Sequence, residues 1–246
     1  MSNLRLAIRS MLAQPAWTLI ALLCLALGTA ANTAGLSVIE AVFFRPLPFP
    51  EPGRIVAVVV LPPDRARVRP FSLAEYRDLQ PLASPFADLA ARTFQPASVS
   101  SPGIASRMAQ TELVSLNYFA VLQVTPLLGR FFDPQGPPEP TEIVMSERLW
   151  RSRYAADPAI LGQTIQVNAH PFTVTGIAPA DFVGVTQLIA ADLWIPAPFY
   201  SALIAAPSRV EAEATPWFGV VGRLRPGMSP EQAQRQFDAF EAGLAQ

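Results

Sequence analysis

The 246-residue chain contains no lysine; all eighteen of its basic residues are arginine. That removes the P-loop cation, the Schiff-base amine and the Ser-Lys dyad, and with them a conventional ATP-hydrolysing subunit. One histidine, His170, and one cysteine, Cys24, exclude His/Cys metal clusters and any intrachain disulfide framework. A formal net charge of −1 leaves no polybasic surface, so nucleic acid and anionic lipid are not expected partners. No G-x-S-x-G elbow and no carboxylate pair in catalytic context is found, so neither a catalytic residue nor a cofactor nor a metal site is expected. His170 lies in Asn168-Ala169-His170-Pro171 between two strand-like runs and reads as an exposed turn residue rather than a base.

Charge itself is absent for thirty consecutive residues between Arg9 and Glu40. Apolar character is densest from Trp17 to Ile39, and a helix of that length covers the roughly 30 Å hydrocarbon core of a bilayer. A helix also satisfies its own backbone there. Arg5 and Arg9 precede the run and Glu40 follows it, so the positive-inside rule places Met1 in the cytoplasm and the bulk of the chain outside. A cleaved signal peptide is the competing reading, with Thr29-Ala30-Ala31 as its small-residue site. The apolar stretch runs on through Leu36 to Phe44, far beyond the h-region of such a peptide. Trp17 marks the start of the span, and Gly28, Ala31, Ala34 and Gly35 lie on neighbouring turns where membrane helices can approach closely. Leu4, Ile8 and Met11 sit at helical spacing that could lay the N-terminus along the cytoplasmic interface.

Past the span, 26 prolines against 13 glycines in a chain that is 51% hydrophobic point to many short, stiffened connections around a real core. Arg54 to Leu61 reads as a buried strand, and Ser72 with Glu75 as a capping box opening a helix to about Gln80. Pro85 to Ala91 reads as a second short helix. Ala97 to Ser101 and Met108 to Ser115 read as strands separated by Pro102-Gly103, and Asn117 as the cap of a helix through Leu122. Glu142 to Met145 is an expected strand, followed by a helix capped by Ser146 and ended at Asp157-Pro158. Gln163 to Val167 and Phe172 to Ile177 form an expected hairpin with four loop residues. Leu193 to Ile195 and Phe218 to Leu224 complete the strands. Ser229-Pro230-Glu231-Gln232 starts a terminal helix, with Ala233, Phe237, Phe240 and Leu244 on one face. The stretches Pro134 to Pro140 and Pro196 to Pro207 are expected loops or hinges.

An ordered series of motifs then becomes specific. Leu25-Ala26-Leu27-Gly28 and Ala31-Asn32-Thr33-Ala34 are followed by Phe44-Arg45-Pro46-Leu47-Pro48-Phe49-Pro50-Glu51-Pro52, Tyr76-Arg77-Asp78-Leu79 and Asn117-Tyr118-Phe119. Leu128-Gly129-Arg130-Phe131-Phe132, Gly176-Ile177-Ala178-Pro179, Asp192-Leu193-Trp194-Ile195-Pro196 and Gly222-Arg223-Leu224 complete the series. In this order the chain resembles the MacB/FtsX-type ABC transporter permeases, above all the duplicated orphan permeases of acidobacteria.

The resemblance implies an α+β fold with one N-terminal transmembrane helix and a two-lobed periplasmic core domain. The expected division is residues 1–15 as a cytoplasmic or interfacial N-terminus, 16–44 as the membrane helix and 45–246 as the core domain. It also implies an inner-membrane, non-catalytic permease subunit whose partners are a cytoplasmic ABC ATPase and further permease helices or a second permease copy. Such permeases continue into three more membrane helices, whereas this sequence stops at Gln246, so a truncated or split permease is expected. The alternative is a membrane-tethered periplasmic binding or adaptor module with no transport role of its own.

Overall fold

The computed structural model describes residues 15–43, 49–59, 68–82, 85–136, 141–186, 189–199 and 214–236. Residues Met1–Pro46 and Leu47–Gln246 form two compact units. The first contains helix α1, Pro15–Phe43, 29 residues long. Side chains at Trp17, Ala21, Ala31 and from Ala34 onward in this helix lie outside the described residues. Among the described residues no helix is long and apolar enough to cross a membrane.

Among the described residues, the second unit is built on one mixed sheet of eleven strands. They are β1 (Ile55–Val58), β2 (Phe86–Phe94), β3 (Ala97–Ser101), β4 (Ile104–Ala109), β5 (Thr111–Val114), β6 (Leu128–Gly129), β7 (Glu142–Ser146), β8 (Thr164–Val167), β9 (His170–Ala178), β10 (Leu193–Pro196) and β11 (Gly219–Leu224). Spatial order is β1-β11-β2-β5-β10-β7-β9-β8-β3-β4, with β6 hydrogen-bonded to β9. The β5–β10 and β7–β9 pairs are parallel. Residues 47–246 form one compact unit, through which a hydrogen-bonded ladder runs from β1 to β4.

The central strands are buried on both faces, and their side chains alternate between two apolar clusters as the period of two requires. Leu89, Ala91, Ile143, Met145, Leu193 and Ile195 point into one cluster, together with Leu73, Tyr76 and Leu79 of helix α2 (Leu73–Leu79) and Leu149 and Trp150 of helix α4 (Glu147–Tyr154). Ala90, Val144, Trp194 and Val221 point into the other, which is covered by helix α3 (Tyr118–Leu122) and by Phe182. The sheet is thus the middle of three layers.

Local signals mostly hold. Ser72 accepts from the Glu75 amide while the Glu75 carboxylate accepts from the Ser72 amide, completing the capping box. Ser146 caps α4 through the Leu149 amide at 3.2 Å. Ser229 and Gln232 bond reciprocally at the start of the helix over residues 230–236. Phe237, Phe240 and Leu244 lie outside the described residues, as does most of Pro196 to Pro207.

Four expectations are corrected. Residues 86–94 form a strand, not a helix: Ala90 and Ala91 are fully buried between neighbouring strands, and tertiary pairing overrides alanine's helical preference. The expected strand Met108 to Ser115 is two, β4 ending at Ala109 and β5 starting at Thr111. β1 is shorter than expected and only its last residue is buried. Because Val167 pairs with His170, the β8–β9 hairpin has two loop residues, Asn168 and Ala169, at φ 47° and 65°, the left-handed pair of a type I′ turn.

Glu75 makes acid sensitivity testable. Its carboxyl is held down at about 2, first by the Arg69 guanidinium and further by Ser72, against the effect of burial. A folded value below the unfolded value means stability that is present above about pH 4.5 and lost as pH falls toward about 2. The Glu75→Gln variant is expected to lose less stability than wild type across that window in thermal melts. Superimposable pH profiles would remove Glu75 from the acid response.

Candidate functional site

The sequence assigns its candidate residues to α1. Arg5 and Arg9 lie outside the described residues. Trp17, Ala31 and Gly35 fall within α1, with nothing described of their side chains. Gly28 is exposed, with no atom within 4 Å of where a Cβ would stand, so its face is open. Leu22, Leu23, Leu25 and Leu27, which at about 100° per residue cover little more than half of the circumference, are 53–68% exposed. Thr29 turns its hydroxyl back onto the Leu25 and Ala26 carbonyls at 2.8 and 3.1 Å, spending its donor within the helix.

In the core domain, charge is concentrated at places that sequence reading did not single out. Glu112 on β5 is fully buried and accepts from Arg92 of β2 at 2.8 Å, from the Trp194 indole at 2.9 Å and from the Tyr118 hydroxyl at 3.3 Å. Burial raises the Glu112 carboxyl above its usual range despite Arg92, and it raises the Tyr118 phenol well above its own. The same cluster grips the connection from β9 to β10: Arg92 donates to Thr186, and the Val185 amide donates to Tyr118 at 3.3 Å. At Gly184, φ 102°, a Cβ would stand 2.9 Å from the Glu112 carboxylate. Asp192, at the far end of that connection, is buried and accepts from Arg148 at 2.7 Å, from the Gln110 amide at 3.1 Å and from Arg107 at 3.4 Å.

A cavity of about 460 Å³ opens beside α2, lined by Tyr76, Gln80, Asp88, Ser115 and Asn117 among others. Its polar groups are committed to one another. Tyr76 donates to the Leu89 carbonyl and receives the Gln80 amide at 2.8 Å. Ser115 donates to Asn117 Oδ1 at 2.7 Å, and Asn117 Nδ2 donates to Asp88 and to the Leu89 carbonyl. Asn117 therefore occupies the N-cap position of α3 without making the expected cap bond; its amide ties α2, β2 and α3 together instead. Burial pushes the Tyr76 phenol up to about 12, so it remains a hydrogen-bond donor at neutral pH. His170 is exposed at the first position of β9. Among the described residues no group of three or more His, Cys, Asp or Glu is placed to hold a metal.

One signal could have drawn attention to Glu112: it is the single charge in the strand Thr111-Glu112-Leu113-Val114, all of which is buried. Its partners lie at 92, 118 and 194, too far apart in sequence to be grouped by spacing.

Fold and site together define a sheet-centred α+β domain whose buried polar groups hold helices and connections in register. The profile of the MacB-like periplasmic core domain matches residues 18–240, and the chain belongs to that family. Its fold resembles the periplasmic region of MacB from Actinobacillus actinomycetemcomitans, at 16% identity over 77% of this chain and 82% of that one, with a TM-score of 0.57. It also resembles the extracellular domain of the noncanonic ABC-type transporter YknZ from Gram-positive bacteria, at 12% identity over 74% of this chain and 88% of that one, with a TM-score of 0.53. No functionally curated protein matches. The family resemblance carried by the ordered motifs is confirmed.

Proposed function

We propose that this chain is the anchor and periplasmic domain of a non-catalytic permease subunit of an ABC transporter. It sits in the inner membrane with Met1 in the cytoplasm, α1 spanning once and the core domain outside. A separate cytoplasmic ATPase hydrolyses ATP, and the resulting movement passes through α1 and further permease helices, or a second permease copy, to the periplasmic sheet. The observation that carries the reading is the family match across residues 18–240. The exposed leucines Leu22, Leu23, Leu25 and Leu27 of α1 support its membrane placement. The internally committed polar groups suit a domain that transmits displacement rather than one that performs chemistry.

The full chain carrying a phosphatase reporter at its C-terminus is expected in the membrane fraction of a Gram-negative host with the reporter active. Replacing Arg5 and Arg9 together by glutamate is expected to lower that activity by weakening the orientation signal. A soluble product or an inactive reporter would sink the topology. Co-expression with any ABC ATPase and permease encoded beside it is expected to yield a detergent-stable complex. A correctly oriented chain that recruits neither would favour the tethered adaptor.

A further inference from the structure

Arg223 on β11 is 3% exposed, and it donates to main-chain carbonyls rather than to carboxylates. Nε donates to the Val121 carbonyl and Nη2 to the Leu122 carbonyl at 3.1 Å. These belong to the last turn of α3, whose carbonyls have no partner within the helix and attract a cation. Nη1 and Nη2 both donate at 3.2 Å to the carbonyl of Pro50. One guanidinium thus joins three separate pieces of chain: β11, the end of α3 and the segment that leads into β1. Burial lowers the Arg223 pKa, as does the nearby Arg54, against a smaller opposing effect of Glu51.

The segment around Pro50 is fastened from two further sides. Phe49 is buried in the same apolar cluster as Phe119, Val121 and Leu122 of α3. Arg54 donates through Nε and Nη2 to the Leu224 carbonyl at 3.0 and 2.7 Å, and also pairs with Glu51, which is held at φ 49°. Among the described residues β1 is an edge strand that pairs with β11 alone, beginning with Ile55 opposite Arg223. An antiparallel edge strand pulled from its first residue unzips one ladder bond at a time. The fastenings at Phe49, Pro50 and Arg54 stand at the residue where such unzipping would begin.

We propose that Arg223 is a positioning residue that clasps the segment Phe49–Arg54, so that displacement arriving from the N-terminal helix is delivered to β11 and α3 together instead of peeling β1 off the sheet. The direction of loading rests on the permease reading above; the clasp does not. Glutamate at residue 223 would place an anion against carbonyls, and methionine would fill the space without donors. Lysine keeps the charge on a single compact ammonium group, which cannot reproduce the guanidinium fork.

The test is hydrogen exchange, followed by mass spectrometry, on the full chain in detergent, comparing wild type with Arg223→Met and Arg223→Lys. Peptides covering residues 47–58 and 118–124 are expected to exchange about 10-fold faster or more in both variants, while peptides from β7 and β10 keep their wild-type rates. Arg54→Met is expected to accelerate residues 47–58 alone, and it serves if the Arg223 variants do not fold. A uniform acceleration across every peptide would reduce Arg223 to general stability, and unchanged rates at 47–58 would overturn the clasp. The reporter and co-expression measurements stand apart from both outcomes, so a failed clasp and a failed permease reading are separable.

Discussion

Replacing Glu112 by alanine is expected to destabilise the core domain by about 3–5 kcal/mol, the cost of breaking a buried ion pair from one side. The carboxylate is fully buried and receives three donors, from Arg92, Trp194 and Tyr118. Its removal leaves an indole N–H and a phenol without that acceptor, and it leaves the Arg92 guanidinium bonded to Thr186 but without its carboxylate. Each buried donor left unmade costs about 1–3 kcal/mol. Chemical unfolding of the full chain followed by tryptophan fluorescence reads the loss. Glutamine is not a neutral exchange here. Both carboxylate oxygens accept bonds, so one donor must face the new amide N–H₂.

Two further outcomes separate the pair from its surroundings. Replacing Arg92 and Glu112 together by methionine and leucine is expected to cost much less than Glu112→Ala, because no charge is then buried alone. The pH dependence has the opposite sign to that of Glu75. Burial raises the folded Glu112 value above its unfolded one, so wild type loses stability as pH rises out of the usual carboxylate range, and the alanine variant lacks that loss. A cost below about 1 kcal/mol for Glu112→Ala would place the pair among weak surface interactions and remove its role in holding residues 184–186.

The sequence makes plain what neighbouring residues decide among themselves. Ser72 with Glu75, Ser146 with Leu149 and Ser229 with Gln232 are bonds across three positions, and the residue types announce them. The strands at 142–146, 193–196 and 219–224 are similarly legible as apolar runs, because a strand buried on both faces needs little else. What stays hidden is set by distant partners. Residues 86–94 contain three alanines, an arginine and a leucine, a helix-forming mixture, and only β11 on one side and β5 on the other make them a strand. Asn117 looks like a cap until Tyr76, Ser115 and Asp88 compete for its amide. Of the candidate anchor residues, the uncharged run makes the helix over Pro15–Phe43 legible.

A cross-strand contact that local residue types do not reveal yields the second large effect. Gly129 of β6 and Gly176 of β9 face each other in an antiparallel pair. A Cβ on Gly176 would stand 2.3 Å from the Arg130 carbonyl oxygen, and one on Gly129, at φ 71°, would stand 2.2 Å from the Thr175 carbonyl oxygen. Both obstacles are backbone, so neither can swing aside as a side-chain tip could. The strand must move, although the Arg130 amide bonds the Thr175 carbonyl and the Leu127 amide bonds the Ile177 carbonyl, each at 2.8 Å. Gly176→Ala is therefore expected to cost about 3 kcal/mol, the upper part of the overpacking range. Gly129→Ala is expected to cost at least as much, because its left-handed backbone adds about 1–2 kcal/mol. The double variant should cost less than the sum, since either substitution alone already separates the two strands. Gly162→Ala supplies the comparison: its φ is 82°, but the space around its Cβ is open, so only the backbone penalty remains. Equal losses at Gly162 and Gly176 in thermal unfolding would mean that the β6–β9 approach is loose enough to admit a methyl group, and that β6 is not held to the sheet by this contact.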